Sequence, residues 1–292
     1  MTHSWRQATD DEIIKFYEQE FPPSVGGFPK FITPTSPKEF GVQLSDYYPR
    51  QGNETAKTDF IRRQTRPDGN ASVFTCWEDV ARFAKAPAEN DPLVDSTNDG
   101  ALADPILVDG KGPVTNALYF GVDTHDHGWP LYVDIDAKDI AINRAQEAVD
   151  QHGGLDKDRL LAKAGIIQEE PEGFNYGFRD IRQALEYGFE VAEYFEETLN
   201  GDSTTVVYSG QGAHVYLADD DPDHRYDRRA RQVIIQFLTE QEEFPIDEVV
   251  TADRRRFGRV PYSLHTDICR VPQPVDSPEF DFVNDAKPEF LA

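Results

Sequence analysis

The sequence predicts a mixed α/β (α+β) fold, because strand-like and helix-like segments alternate irregularly along the chain. Two observations support this class most directly. Residues 206–209 and 213–218 are typical of two strands joined by a glycine turn, and residues 176–199 have the apolar spacing of one long amphipathic helix. We therefore expect the second half of the chain to form a small sheet covered by helices.

The first elements follow from capping signals. Residues 9–12 (Thr-Asp-Asp-Glu) form a capping-box pattern before an apolar helical stripe, and residues 75–78 (Thr-Cys-Trp-Glu) form another before a helix to about Lys85. Residues 21–37 hold five prolines and two adjacent glycines, which predicts a loop that ends in a short helix starting at Ser36-Pro37. The Pro-, Asp- and Gly-rich stretch 87–113 is predicted to be an exposed connection.

The character of the chain changes after that connection, and strands become frequent. We expect strands at 117–122 and 131–136 with a turn between them, and strand and turn at 245–272. Helices are expected at 138–150, ending at Gly153-Gly154, and at 228–239. Residues 165–176 are predicted to be an acidic loop, and the residues after Pro272 a polar tail.

Acidic residues outnumber basic ones, 54 to 29, and give a net charge of −25. The acids are spread along the whole chain and lysine is scarce, as is typical of proteins from salt-loving archaea. Such a charge would repel nucleic acid at low salt. At about 1 M salt the Debye length is only about 3 Å, so only local contacts would determine whether nucleic acid binds. The alternative is an ordinary acidic protein, and refolding at low salt separates the two.

The chain has two cysteines, Cys76 and Cys269, far apart in the sequence. They do not supply a four-cysteine zinc site or a disulfide framework, so a reduced compartment is the default. The first residues lack the apolar core of a signal peptide, and no apolar run approaches 18 residues. We expect a soluble, cytoplasmic protein that does not enter a membrane.

Residues 132–136 (Tyr-Val-Asp-Ile-Asp) carry the most informative pattern. In a strand, Asp134 and Asp136 project from one face while their apolar neighbours pack inward. Two like charges this close repel unless a cation lies between them, and two-metal sites catalyse phosphoryl and nucleotidyl transfer. The alternative is a pair of solvated acids on a half-buried strand, or Asp136 acting as a helix N-cap.

Two further segments contain groups suited to phosphate. Residues 209–214 (Ser-Gly-Gln-Gly-Ala-His) turn on glycines between two strands, so backbone N–H groups, Ser209 and His214 are candidate phosphate donors; the alternative is a tight hairpin with a core histidine. Residues 247–265 combine acids, a dense arginine run and a final Ser-Leu-His, and suit either polyphosphate binding or a local ion-pair network.

Two other polar segments support weaker hypotheses. His125 and His127 flank an aspartate in a predicted turn, but zinc usually needs more nitrogen or sulfur ligands than this segment offers. The arginine-rich segment 225–231 suits a helix face near nucleic acid, although such a run is more often a solvated helix face.

The three blocks at 132–136, 209–214 and 247–265, in this order, resemble the archaeo-eukaryotic primase superfamily, most closely its DNA primase catalytic small subunit in a haloarchaeal or haloviral form. Upstream segments are similar too: Glu39-Phe40-Gly41, residues 60–63 (Phe-Ile-Arg-Arg), residues 117–120 and Gly128-Trp129. The resemblance spans roughly residues 36–271.

The resemblance implies a two-lobed primase-polymerase fold, in which an α/β lobe joins an RRM-like lobe and the active site lies between them. Residues 1–35 would form an N-terminal helix and loop, 36–115 the first lobe, 116–272 the RRM-like core of the catalytic domain 36–272, and 273–292 the tail.

The resemblance also assigns the site residues and ligands. Asp134, Asp136 and a third acid would hold two Mg²⁺ or Mn²⁺ ions; spacing alone leaves Asp247 and Asp253 open, and the family's spacing to the final histidine selects Asp247. The positions that match contacts to nucleotide phosphates are Ser209, His214, Arg259, His265 and Arg62. The implied partners are a single-stranded DNA template, NTPs or dNTPs and, in replicative members, a primase large subunit.

This sequence departs from the family in two places. Gln211 stands where many members have a basic residue, so the triphosphate contact there would either be weaker or come from Arg255 or Arg256 instead. The family's cysteine-rich zinc knuckle is missing, and no structural zinc is expected. The expected activity is primer synthesis by nucleotidyl transfer. The alternatives are a gap-filling repair polymerase of the same superfamily, an inactive nucleic-acid-binding paralogue and, more distantly, a glycosyltransferase with an Asp-x-Asp site.

Overall fold

The computed structural model describes residues 5–24, 27–50, 53–64, 74–87, 114–123, 130–151, 176–199, 201, 203–218, 226–240, 242–253 and 256–291. The chain divides into two compact units that alternate along the sequence. The first unit comprises Met1–Trp129, Arg255–Pro274 and Asp281–Ala292, and the second comprises Pro130–Arg254 and Val275–Phe280. Each unit contains an antiparallel sheet and helices, so the predicted mixed α+β class is confirmed.

The described helices are α1 (Asp10–Gln19), α2 (Trp77–Lys85), α3 (Ala137–Gln151), α4 (Phe178–Thr198), α5 (Arg228–Glu240) and α6 (Glu248–Ala252), with a 3₁₀ turn at Glu289–Leu291. The described strands are β1 (Glu39–Arg50), β2 (Asn53–Gln64), β3 (Thr115–Gly121), β4 (Leu131–Asp136), β5 (Thr204–Tyr208), β6 (Gly212–Leu217), β7 (Phe257–Arg259) and β8 (Gln273–Pro274).

The sheet of the first unit has the strand order β2-β1-β3-β7, with antiparallel pairing throughout. One face of this sheet forms the core of the unit, because Phe40, Val42, Leu118 and Phe120 are buried at alternating positions of β1 and β3. Helices α1 and α2 also contribute buried apolar residues to this unit.

The sheet of the second unit places β6 between β4 and β5, again antiparallel. Helix α4 packs on the face that carries Val206, Ala213 and Val215. A Cβ atom added at Gly188 of this helix would lie 3.0 Å from the Ala213 side chain and 3.3 Å from Val206, so glycine permits the close approach. The opposite face of the sheet is therefore the one that carries the acids of β4.

Most predicted elements are found within one to three residues of their expected ends. The capping box at Thr9 is present in full, with Glu12 N–H donating to Thr9 Oγ1 and Thr9 N–H to the Glu12 carboxylate. The second predicted capping box is shifted by one position. Cys76 is the N-cap of α2, and the Thr75 hydroxyl donates a 2.7 Å hydrogen bond to the Asp79 carboxylate.

The prediction of a short helix starting at Ser36-Pro37 is also wrong. Ser36 closes a turn, accepting from Thr33 N–H and donating to the Phe31 carbonyl, and β1 begins at Glu39. Three predictions lie outside the described residues: the exposed connection from residue 88 onward, the helix end at Gly153-Gly154 and the acidic loop over residues 165–175. Within the described part of the chain, no helix has the length and apolar composition needed to cross a bilayer.

Candidate functional site

Strand β4 presents its two aspartates on one side, as the alternation predicted. Leu131, Val133 and Ile135 are fully buried on the side facing α4, whereas Asp134 and Asp136 are half-buried on the other side. In the β4–β6 register Asp134 lies opposite His214 and Asp136 lies opposite Gly212. The acids therefore lie beside the glycine turn and the histidine that the sequence had singled out.

Asp247 is the acid of the arginine-rich segment that lies beside this strand. Its backbone N–H donates a 3.0 Å hydrogen bond to the Asp134 carbonyl, and α6 begins at the next residue. Burial raises the pKa of the Asp136 carboxyl, and the negative charges of Asp139 and Asp247 raise it further, against the opposing effect of Lys138. Asp134, Asp136 and Asp247 are thus neighbours.

The three carboxylates do not form a compact ligand set. Among the described residues, no group of three or more His, Cys, Asp and Glu side chains is close enough to hold a metal ion. The arrangement is an acidic strand edge with a third acid fixed beside it by the backbone. Carboxylate oxygens are the ligands that Mg²⁺ and Mn²⁺ prefer, so the residue types fit these ions.

His214 faces the acids through one nitrogen and an aromatic pair through the other. Its Nε2 lies 3.4 Å from Asp134 Oδ1, and its Nδ1 lies 3.4 Å from the Tyr216 hydroxyl. Burial raises the pKa of Tyr216 well above its usual range, with Asp134 adding to the shift, so the phenol stays protonated. A protonated phenol donating to Nδ1 leaves the proton of a neutral imidazole on Nε2, facing Asp134.

Tyr132 completes this aromatic support. Its ring stacks on Tyr216 at a centroid distance of 5.0 Å and meets the His214 ring edge-on at 5.2 Å. No local pattern indicated the role of Tyr132 and Tyr216, because that role depends on the register between two strands. Once β4 and β6 are paired, alternation places both tyrosines on the face that carries the acids.

The glycine turn packs tightly against the end of β4. A Cβ atom at Gly212 would lie 2.0 Å from the Ile135 carbonyl oxygen, so only glycine fits there. Gly210 has a positive φ of 104°, and the Gln211 carbonyl accepts from Ala137 N–H at the start of α3. Ser209 is buried and its N–H donates to the Gly212 carbonyl. The Ser209–Gly212 bond therefore closes the hairpin, and the Gln211 carbonyl connects the turn to the start of α3.

Arg62 and Arg259 belong to the sheet of the first unit. Arg62 on β2 is 42% exposed in its side chain, lies 3.7 Å from the Glu39 carboxylate, and its guanidinium carbon lies 4.8 Å from the Phe257 ring centroid. Arg259 on β7 lies over the Tyr119 ring at 5.3 Å. Both cations are thus held against aromatic rings on one face of the sheet.

His265 also belongs to the first unit, in a buried turn. Its N–H donates to the Arg270 carbonyl at 2.8 Å, and Arg270 N–H donates back. Ser263 is buried and donates to the Val260 carbonyl at 2.6 Å, while Leu264 is buried beside it. The Ser-Leu-His block therefore has a clear structural function in this unit.

The arginines of the basic helix face proposed for residues 225–231 differ in their exposure. Arg228 and Arg229 are exposed, but Arg231 is fully buried and donates to the carbonyls of Tyr226, Pro130 and Thr251. Neither sequence interpretation fits Arg231, which is a structural cation. His125, His127, Gly128, Trp129, Arg254 and Arg255 lie outside the described residues.

The predicted site residues therefore fall into two groups. Asp134, Asp136, Asp247, Ser209 and His214 belong to the second unit, and Arg62, Arg259 and His265 belong to the first. No protein-family model matches the chain, and no curated protein matches it.

Proposed function

We propose that this chain is a metal-dependent nucleotidyltransferase of the primase-polymerase type, which makes short primers on single-stranded DNA. The observation that supports this best is the hydrogen bond from Asp247 N–H to the Asp134 carbonyl. It brings the third acid of a distant block beside the two acids of β4, which is what the resemblance requires of Asp247.

The electrostatics of the acids support a cation site. Burial raises the pKa of Asp136, and the like charges of Asp139 and Asp247 add to the shift against Lys138, so the site as folded disfavours full ionisation. Divalent cations held by Asp134, Asp136 and Asp247 would reverse this preference. When bound, two Mg²⁺ or Mn²⁺ ions would activate a primer hydroxyl and neutralise the triphosphate and the leaving pyrophosphate.

The residues around the acids have separate proposed tasks. His214 orients the Asp134 carboxylate through Nε2, in addition to the phosphate contact that the resemblance assigns to it. Tyr216 and Tyr132 hold the imidazole in place. Ser209, buried in the turn between β5 and β6, keeps its assignment to a nucleotide phosphate as a prediction from the resemblance. Arg62, Arg259 and His265 keep their assignment to nucleotide phosphates as a prediction from the resemblance.

The decisive test is incorporation of labelled nucleotides on a single-stranded template at high salt, with Mg²⁺ or Mn²⁺ and with NTPs or dNTPs. Asp134→Asn and Asp247→Asn should each lower the rate by about 100-fold or more, because bound metal contributes several kcal/mol to such transfers. Circular dichroism should show an unchanged fold.

Asp253→Asn is the matched control, because Asp253 is the other acid that spacing allowed and it lies exposed after α6. It should retain activity. Full activity in Asp134→Asn would contradict the proposed metal site. If Asp253→Asn loses activity while Asp247→Asn keeps it, the third metal-binding acid is Asp253 and not Asp247. Synthesis without a primer favours a primase, extension only from a primer favours a repair polymerase, and metal-independent binding without synthesis favours an inactive paralogue.

A further inference from the structure

Arg231 of α5 connects three segments of the second unit from a fully buried position. Each nitrogen of its guanidinium donates to a different backbone carbonyl: Nε to Tyr226 at 2.9 Å, one terminal nitrogen to Pro130 at 2.6 Å, and the other to Thr251 at 3.5 Å. Tyr226 directly precedes the start of α5, whereas Pro130 and Thr251 belong to other parts of the chain. The side chain therefore joins α5 to two segments that are distant in the sequence.

Both distant segments carry acids of the candidate site. Pro130 directly precedes β4, the strand of Asp134. Thr251 lies in α6, and its N–H donates a 3.0 Å hydrogen bond to the Asp247 carbonyl, while Asp247 N–H donates at 3.0 Å to the Asp134 carbonyl. Chain and hydrogen bonds therefore form a closed circuit. It runs from Arg231 along β4 to Asp134, and from Asp247 through α6 back to Arg231.

The circuit contains two connections between β4 and α6, and two connections fix an orientation that one does not. The bond from Asp247 N–H to the Asp134 carbonyl holds the start of α6 at one point. Arg231 supplies the second connection, because its planar guanidinium keeps the Pro130 and Thr251 carbonyls at fixed positions. Helix α6 also packs against α5 and β4. The second connection therefore restricts the direction in which the Asp247 side chain projects.

Burial makes this arrangement specific for arginine. Arg231, Pro130 and Thr251 are all buried, and a buried carbonyl without a donor is costly, so the guanidinium and its acceptors hold each other in place. Lysine would keep a cation, but its single nitrogen on a flexible stem does not reproduce three donors in one plane. Methionine would fill the space without any donor. Neither side chain would hold both carbonyls as the guanidinium does.

We propose that Arg231 is a positioning residue of the acidic site. Through the carbonyls of Pro130 and Thr251 it fixes Asp247 beside Asp134, so that the two carboxylates can reach a shared divalent cation. Groups that hold metal ligands in place without touching the metal typically change metal affinity by roughly 10- to 100-fold. The inference rests on the proposed function for the identity of the ligand, whereas the fixing of Asp247 follows from the hydrogen bonds alone.

The first test measures Mn²⁺ binding to the full chain at high salt, without nucleotide or template, from the electron paramagnetic resonance signal of free Mn²⁺. Arg231→Lys should weaken binding roughly 10- to 100-fold, because the planar fork to the two carbonyls is lost. Arg231→Met should weaken it at least as much. Each variant is measured where circular dichroism shows the native spectrum. If Arg231→Met does not fold, Arg231→Lys, which keeps the buried cation, provides the test.

Arg63→Met is the matched control. Arg63 is also buried, at 6% exposed, and donates to the carbonyls of Arg62 and Pro87, but it belongs to the first unit, which supplies none of the three acids. Its loss should lower the free energy of unfolding without changing Mn²⁺ affinity. A purely structural role for Arg231 predicts the same result for its own variants, so an unchanged Mn²⁺ affinity in folded Arg231→Lys would overturn the inference.

Amide hydrogen exchange at Asp247 gives a second readout that needs neither metal nor activity. Its N–H is held by the Asp134 carbonyl, so a loosened α6 should expose it to solvent more often. Exchange at Asp247 should be about tenfold faster in Arg231→Lys, while the amides paired between β5 and β6 should exchange as in the unchanged chain. A uniform increase in both sets would indicate general destabilisation and would also overturn the inference.

These measurements separate the inference from the proposed function. If the unchanged chain binds no Mn²⁺ and incorporates no nucleotide, the proposed function fails. Locally faster exchange at Asp247 in Arg231→Lys would then still support the fixing of this acid by Arg231. If the unchanged chain incorporates nucleotides, and Arg231→Lys equals it in Mn²⁺ affinity and in exchange at Asp247, the proposed function stands and this inference is overturned.

Discussion

At the scale of single residues, the face on which a side chain lies depends on its own strand, whereas the partners that it contacts depend on other segments of the chain. The alternation of Leu131 to Asp136 was enough to place Asp134 and Asp136 on one face, because period-two patterning is a property of the strand alone. The contact between His214 Nε2 and Asp134 needed the register of two strands, and the burial of Arg231 needed three carbonyl acceptors from separate segments. Neither arrangement has a local signal.

Gly212 gives the sharpest prediction at this scale. Gly212→Ala should lower the free energy of unfolding by about 3 kcal/mol or more, because the new Cβ would lie 2.0 Å from the Ile135 carbonyl oxygen and β4 must move to admit it. Gly27→Ala is the control: a Cβ there meets nothing within 4 Å, so the change should stay within about 0.5 kcal/mol. Equal denaturant midpoints for the two variants would contradict the packing described for this turn.

At the scale of elements, prediction succeeded where a local signal was strong. The capping box of α1 and the apolar stripe of α4 were both present as expected. The hairpin of β1 and β2 was not predicted as strands, because polar residues and Pro49 interrupt its alternation and the pairing partner supplies its stability. Helix α6 was missed because five residues are too few to show a helical period.

Helix α1 contributes to the stability of the fold in a pH-dependent way, through Glu12 of its capping box. A hydrogen bond from Arg6 lowers the pKa of Glu12 from 4.5 to about 2, and bonds from Thr9 add to the shift. A carboxyl whose pKa falls on folding stabilises the protein above its unfolded pKa, and this contribution is lost as the pH falls from about 4.5 to about 2. Glu12→Gln should therefore be less stable than the unchanged chain at pH 7, and the difference should disappear near pH 2.

Unfolding in denaturant at a series of pH values checks this expectation. Arg6→Gln should reproduce most of the effect, and the double variant should add little to either single change, since both remove the same pair. A stability difference that persists unchanged to pH 2 would show that Glu12 acts through packing of its aliphatic stem instead of its charge.

At the scale of the whole molecule, charge is the dominant property. A net charge of −25 makes the compact state repel itself at low ionic strength. Raising KCl from 0.1 M to 2 M should raise the thermal unfolding midpoint measured by circular dichroism. Most of the rise should be complete by about 1 M, where the Debye length is about 3 Å. A midpoint that does not change with salt would contradict the halophilic interpretation of the composition.

The alternation of the two units along the chain also has a consequence for synthesis on the ribosome. The first unit cannot complete its sheet until β7, near the carboxyl end, has emerged to join β3, although the rest of that sheet is made early. The second unit is also incomplete at that point, because its residues Val275–Phe280 follow β7 and the Val275 N–H donates to the Val206 carbonyl of β5. We therefore expect both units to keep an unfinished strand edge on the nascent chain until these late residues have emerged, and a single truncation would isolate neither unit intact.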